Sequence, residues 1–122
     1  MNEWYFDRYG QASFIVVDNE RFVSKYGRNL GWVHQGKQVF SLTGQPLGWL
    51  EKGVLRDRKG GIIAFTRWAG NWLPSVPGMS GEPASPSIPG PPARPGFSGT
   101  ITDPGSGSWA GKSIRDFFGA DL

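Results

Sequence analysis

Apolar and polar positions along the first seventy residues form a pattern that repeats. The tetrapeptides Asp7-Arg8-Tyr9-Gly10, Ser24-Lys25-Tyr26-Gly27, Ser41-Leu42-Thr43-Gly44 and Asp57-Arg58-Lys59-Gly60 space their last residues, Gly10, Gly27, Gly44 and Gly60, by 17, 17 and 16 positions. Directly before them stand the apolar pairs Tyr5-Phe6, Phe22-Val23 and Val39-Phe40, with Leu55-Arg56 a weaker fourth. Three residues after each glycine come Ser13, Leu30, Leu47 and Ile63, and five after it Ile15, Trp32, Trp49 and Phe65. Phe14, Gly31, Gly48 and Ala64 lie between these, small in three cases of four. A period of about 17 residues is too short for a helix pair and suits two short strands with two turns.

Each repeat is therefore expected to be a β-hairpin. Asp or Ser opening the tetrapeptide bonds the backbone locally, and a glycine three residues later takes positive φ without steric cost. Asp18-Asn19, Gln35-Gly36 and Lys52-Gly53 have turn chemistry as well and would join successive hairpins. Strand alternation puts Leu30 with Trp32, Leu47 with Trp49 and Ile63 with Phe65 on one face, with the small residues opposite. The expected fold is all-β: four hairpins around a pseudo-fourfold axis, large residues at the centre and few exposed edges.

The recurring segments YGRNLGWV (26–33), TGQPLGWL (43–50) and YFDRYG (5–10) resemble the bacterial four-fold beta flower proteins. The resemblance covers roughly residues 3–69 and implies a fold of four hairpins about a pseudo-fourfold axis, carrying no catalytic or binding residue with it. The first repeat departs from the pattern at Ser13 and Phe14. WYFDRYGQAS and GWVHQGK are also similar to choline-binding or cell-wall-binding repeats, which would imply a cation held between aromatic rings. Their period is longer than the one found here.

Composition divides the chain. Nine of the 10 prolines lie between Pro74 and Pro104, and only Pro46 precedes them. Residues 71–108 read as a Pro/Gly-rich linker, extended and polyproline-like, because such text buries too little apolar area to offset the entropy of ordering. The β domain then spans 1–70. An aromatic C-terminal segment follows at 109–122, where Trp109, Ile114, Phe117 and Phe118 share one side of a short helix expected from about Trp109 to Phe118. That segment is a candidate to dock on its own β domain, on a second copy, or on a protein partner.

With 122 residues and no cysteine, the chain excludes large enzyme scaffolds, disulfide frameworks and thiolate chemistry. A single histidine excludes sites needing two imidazoles. No P-loop, dinucleotide fingerprint or metal motif occurs, so neither cofactor nor metal is expected. The opening MNEWYFDRYG lacks a basic or apolar leader and no long apolar run occurs, which places the protein in the cytoplasm as an expectation.

The net charge of +3 is concentrated in the first 71 residues, where ten Lys and Arg face six Asp and Glu. Arg8, Lys25, Arg58 and Lys59 recur in the same turn and would gather at one end of a fourfold arrangement, a candidate surface for an anion or a nucleic-acid backbone. The excess is modest for nucleic acid, which is not the expected partner. Among six tryptophans, Trp32 and Trp49 are in phase and read as packing, whereas Trp68 and Trp72 follow the last repeat and are candidates for an exposed binding surface. His34 and Glu51 both stand seven after their glycine, and a pair between them would offer acid-base chemistry. No nucleophile motif accompanies it. The reading reached from the sequence is a non-catalytic binding or protein-interaction module, with a basic anion-binding domain and a His34/Glu51 enzyme site as alternatives.

Overall fold

The computed structural model describes residues 3–69, 73, 77–97, 99, 101–105 and 108–119. Eight strands, β1 (Glu3–Phe6), β2 (Ala12–Val17), β3 (Arg21–Ser24), β4 (Asn29–His34), β5 (Gln38–Ser41), β6 (Pro46–Glu51), β7 (Val54–Asp57) and β8 (Ile62–Thr66), pair in sequence order into a closed antiparallel barrel. The closing pair joins β1 to β8 through Tyr5 opposite Thr66 and Phe6 opposite Phe65. One short helix, α1 (Ile114–Phe118), follows among the described residues.

The turns explain the strand boundaries. At one end, Asp7, Ser24, Ser41 and Asp57 each accept backbone N–H bonds through the side chain from the residues two and four positions on, at 2.8–3.3 Å. The glycine three residues on donates to the carbonyl of that same residue, and Gly10, Gly27, Gly44 and Gly60 all have φ between +80° and +90°. At the other end Asp18-Asn19, Gln35-Gly36 and Lys52-Gly53 carry positive φ at both central residues, the turn geometry whose twist suits two-residue hairpin loops.

Each hairpin also slips register once. Tyr5 faces Phe14 while Phe6 faces Ala12, and the same step skips Leu30, Leu47 and Ile63 in the other three. The skipped residue is a β-bulge, which resets the alternation of side chains. This overturns the expected facing of the second strand. Leu30, Leu47 and Ile63 turn inward with Tyr5, Phe14, Phe22, Val39, Leu50 and Leu55, in a cluster drawn from all eight strands. Trp32, Trp49 and Phe65 point outward into two other clusters. In the last three hairpins the small residue beside the bulge clears the barrel interior: a Cβ on Gly31 would stand 2.7 Å from the Phe40 carbonyl oxygen and 3.4 Å from the Phe118 ring.

What fills the centre comes from the C-terminal segment. Phe117 and Phe118 belong to the interior cluster, with the Phe118 ring 5.6 Å from that of Phe14 and 5.2 Å from that of Phe22. The helix is shorter than the aromatic spacing predicts. Ser113 caps it by accepting from the Asp116 N–H, Gly119 ends it at φ +66°, and Trp109 instead bridges to Ile62 as a strand-like partner.

The proline-rich stretch is not a free tether where it is described. Ser80 N–H donates to the Gly10 carbonyl, Arg21 to the Pro89 carbonyl, Asn29 to the Gly90 carbonyl, and the Ile101 N–H to the Gln38 side chain. Met79 packs on the outward residues of the first hairpin, Phe97 and Ile101 on Trp32 and Phe40, and Trp109 on Phe65. The segment thus passes the hairpins in chain order as a strap before α1 enters the barrel. Its own sequence carries the register. Pro77, Pro86, Pro95 and Pro104 recur every nine residues, and the carbonyls of Gly78, Ser87 and Gly96, each following such a proline, lie over Gly10, Gly27 and Gly44. A side chain at any of those three glycines would strike the strap as well as strain the turn.

Candidate functional site

Because all four tetrapeptide turns project from the same end of the barrel, their side chains share one rim. Tyr9 and Tyr26 are 73% and 69% exposed there, high for aromatic rings. Each lies beside the cation that precedes it, with the Arg8 guanidinium 5.6 Å from the Tyr9 ring and the Lys25 ammonium 5.2 Å from the Tyr26 ring. Arg58 and Lys59 are exposed in the fourth turn. The acids of these turns are engaged locally: Asp7, half-buried, accepts two backbone N–H bonds, and Asp57, 8% exposed, accepts two and lies 3.9 Å from the Lys112 ammonium. Cations and tyrosine rings therefore dominate what this end shows to solvent.

The strap's return to the barrel completes the rim. Between the first turn, β8 and the start of α1 lies a pocket of about 270 Å³. Arg8, Lys112 and Arg115 stand around it, Tyr9 forms one wall, and Ile62, Ile63 and Ile114 provide apolar lining. Arg8 reaches across its edge to within 3.5 Å of the Ala110 carbonyl oxygen and over the Trp109 ring at 6.0 Å. Ser13, the bulged residue of the first hairpin, also lines it, where the other hairpins place Leu30, Leu47 and Ile63.

The remaining sequence candidates fall elsewhere. Trp68 is 61% exposed at the opposite end, where its indole N–H donates to Glu3 and its ring covers Gly53. Trp72 lies outside the described residues. Trp32 is buried and Trp49 half-buried beneath the strap. His34 and Glu51 do not meet. The imidazole packs edge-on to Phe97 at 5.0 Å, whereas the Glu51 carboxylate accepts from the Trp49 indole at 2.7 Å and lies 4.0 Å from the Lys37 ammonium. Among the described residues two titrating groups are displaced. Burial, reinforced by the nearby Glu3 charge, pushes the Tyr5 phenol far above its ordinary value, and burial lowers the Arg56 guanidinium against the opposing pull of Asp103.

Sequence reasoning singled out the turn cations and passed over Tyr9, Tyr26, Ser13, Lys112 and Arg115. The tyrosines sit inside the tetrapeptides already aligned, so their recurrence was visible. Lys112 and Arg115 join the rim only because a segment a hundred residues away docks there, which no local pattern states.

A family model described as 4-fold beta flower protein matches residues 3–118, a span that includes strap and helix as well as barrel. No curated protein and no solved structure matches the chain.

Proposed function

The chain belongs to the 4-fold beta flower family, and on that premise we propose that it is a non-catalytic interaction module whose turn end receives an acidic protein partner. Its four hairpins stand about a pseudo-fourfold axis, the proline-rich strap and C-terminal helix complete the same domain, and the rim of tetrapeptide turns is the binding face. The observation that carries this reading is the exposure of Arg8-Tyr9, Tyr26 and Arg58-Lys59 on one rim, where Lys25 lies half-buried beside the Tyr26 ring and the strap passes over the turn glycines Gly10, Gly27 and Gly44. Tyrosine offers large, rigid contact area at small entropic cost, and Arg and Lys supply charge complementarity that speeds encounter and rejects basic partners.

A labelled polyglutamate peptide titrated with the full chain, read by fluorescence anisotropy, tests it. Saturable binding that weakens with salt and is lost in the Lys25→Glu, Lys59→Glu double variant is the expected result. Binding unchanged in that variant would show that the rim is not the face. Tighter binding to a single-stranded oligonucleotide of equal charge would favour a nucleic-acid binder instead.

A further inference from the structure

Of four repeats built on one plan, the first departs from it. At the bulge, three hairpins carry Leu30, Leu47 and Ile63, branched side chains that pack into the barrel, and the first carries Ser13. Ser13 is 4% exposed, and its hydroxyl is occupied by the Gln11 carbonyl at 3.0 Å. A branched apolar residue would fit the pattern of the other repeats. The smaller one leaves room on the rim where the first turn, β8 and the helix start meet.

That room is the pocket of about 270 Å³. Its walls have a definite chemistry. Arg8, Lys112 and Arg115 bring three cations to it from two distant parts of the chain. Among the described residues Asp7 is the one carboxylate in its lining, with Oδ1 committed to the N–H groups of Tyr9 and Gln11, and Asp57 lies 3.9 Å from the Lys112 ammonium, so three cations stand against two acids. The positive excess suits a dianion, for which a guanidinium fork and a point-like ammonium are complementary donors. Below the cations, Ile62, Ile63 and Ile114 with the Tyr9 ring form an apolar lining suited to a flat or compact hydrocarbon body. The volume is at the small end of ligand pockets, so the ligand is small.

We infer that this rim pocket binds a phosphate monoester with a compact apolar or aromatic body, the phosphate held among Arg8, Lys112 and Arg115 and the body resting against Tyr9 and the three isoleucines. The inference rests on the reading of the turn end as the binding face and names the acidic group that face prefers. Ser13 is its specificity-determining position: a leucine, the residue at this place in the second and third hairpins, would occupy the space.

Phenyl phosphate, titrated into the isotope-labelled full chain and followed by amide chemical shifts, is the probe. Saturable shifts confined to residues 7–13, 62–63 and 110–116 are expected, with inorganic phosphate weaker and phenol without saturation. Ser13→Leu is expected to weaken binding about tenfold or more, and its melting temperature is read alongside, because the sister hairpins set their larger residue beside Gly31, Gly48 or Ala64 and this one sets it beside Phe14. Arg8→Met, a change at an exposed position, is expected to weaken it similarly. A short phosphotyrosine peptide distinguishes the source. Binding tighter than phenyl phosphate assigns the phosphate to a partner's side chain, and binding no tighter assigns it to a free ester; either outcome supports the site. Unchanged binding by Ser13→Leu, or shifts centred elsewhere, would overturn the inference. Polyglutamate binding at the rim without any phenyl phosphate binding would overturn it alone, and loss of both would remove the interaction-module reading too.

Discussion

At the scale of single residues, much of this molecule follows from short-range chemistry. Asp and Ser are interchangeable at the head of the tetrapeptide because either side chain presents an oxygen to the same two backbone N–H groups. Tyr5 shows a different kind of constraint. Its ring stacks on Phe14 at 5.2 Å inside the barrel, and burial keeps its phenol protonated well past the ordinary value of 10.0. In the unfolded chain the same phenol ionises near that ordinary value. Above about pH 10 the unfolded state therefore releases a proton that the folded state keeps, and stability falls as pH rises. Tyr5→Phe removes this contribution and keeps the stacked ring. Chemical denaturation at pH 9 and pH 11 is expected to show a smaller loss between the two in the variant than in the parent; an equal loss would assign the alkaline transition to other groups. Gly48 supplies a second test. A Cβ there would collide with the Arg56 carbonyl and stand 3.1 Å from the Phe117 ring, so Gly48→Ala is expected to lower stability by about 1–3 kcal/mol in a urea melt.

At the scale of elements, legibility divides along a physical line. Hairpins are legible because their turns are specified by adjacent residues: Gly27 and Gly44 by position in the tetrapeptide, and Gln35-Gly36 and Lys52-Gly53 by the glycine that completes a two-residue loop of positive φ. The face each side chain takes was not readable by alternation, since the bulge at Leu30 adds one residue that carries no local marker, and Trp32 consequently points out. The strap's contacts escape composition for a related reason. Composition registers that Pro and Gly are abundant and not that Pro77, Pro86, Pro95 and Pro104 are evenly spaced, and it is the spacing that matches the hairpins. The aromatic residues of the last segment were legible as a cluster, although their destination inside the barrel was not. Phe118 now carries the clearest prediction for an element. Its ring meets Phe14, Phe22 and Phe117 at 5.0–5.6 Å and is 4% exposed, so Phe118→Ala empties part of the barrel centre. A loss of about 3–5 kcal/mol is expected by denaturant titration. A loss below about 1 kcal/mol would mean that α1 does not plug the barrel in solution.

At the scale of the whole molecule, the barrel has an unusual demand: both faces of its sheet are apolar. Inward stand Phe14, Phe22 and Leu55, and outward stand Ile15, Trp32, Phe40 and Phe65, all close to fully buried. A closed barrel removes its sheet edges without covering its outside. The cover is the strap, whose described residues before Trp109 form no helix or strand and hold on through scattered hydrogen bonds and a few apolar contacts such as Met79, Phe97 and Ile101, with Trp109 bridging to Ile62. Such a segment would bind weakly as a separate peptide. Joined to the barrel, it acts at an effective concentration in the millimolar range, and its successive contacts reinforce one another. A chain ending at Ala69 is therefore expected to expose an apolar surface too large for a soluble monomer, bind a hydrophobic dye, self-associate in sedimentation, and melt at a lower temperature than the full chain. A synthetic peptide of residues 77–119 is expected to reverse the dye binding only at concentrations approaching that millimolar value, which separates loss of cover from failure to fold. A monomeric, dye-free barrel melting at the parent temperature would show instead that the outer aromatics need no cover, and that the nine-residue register of the strap serves something other than stability.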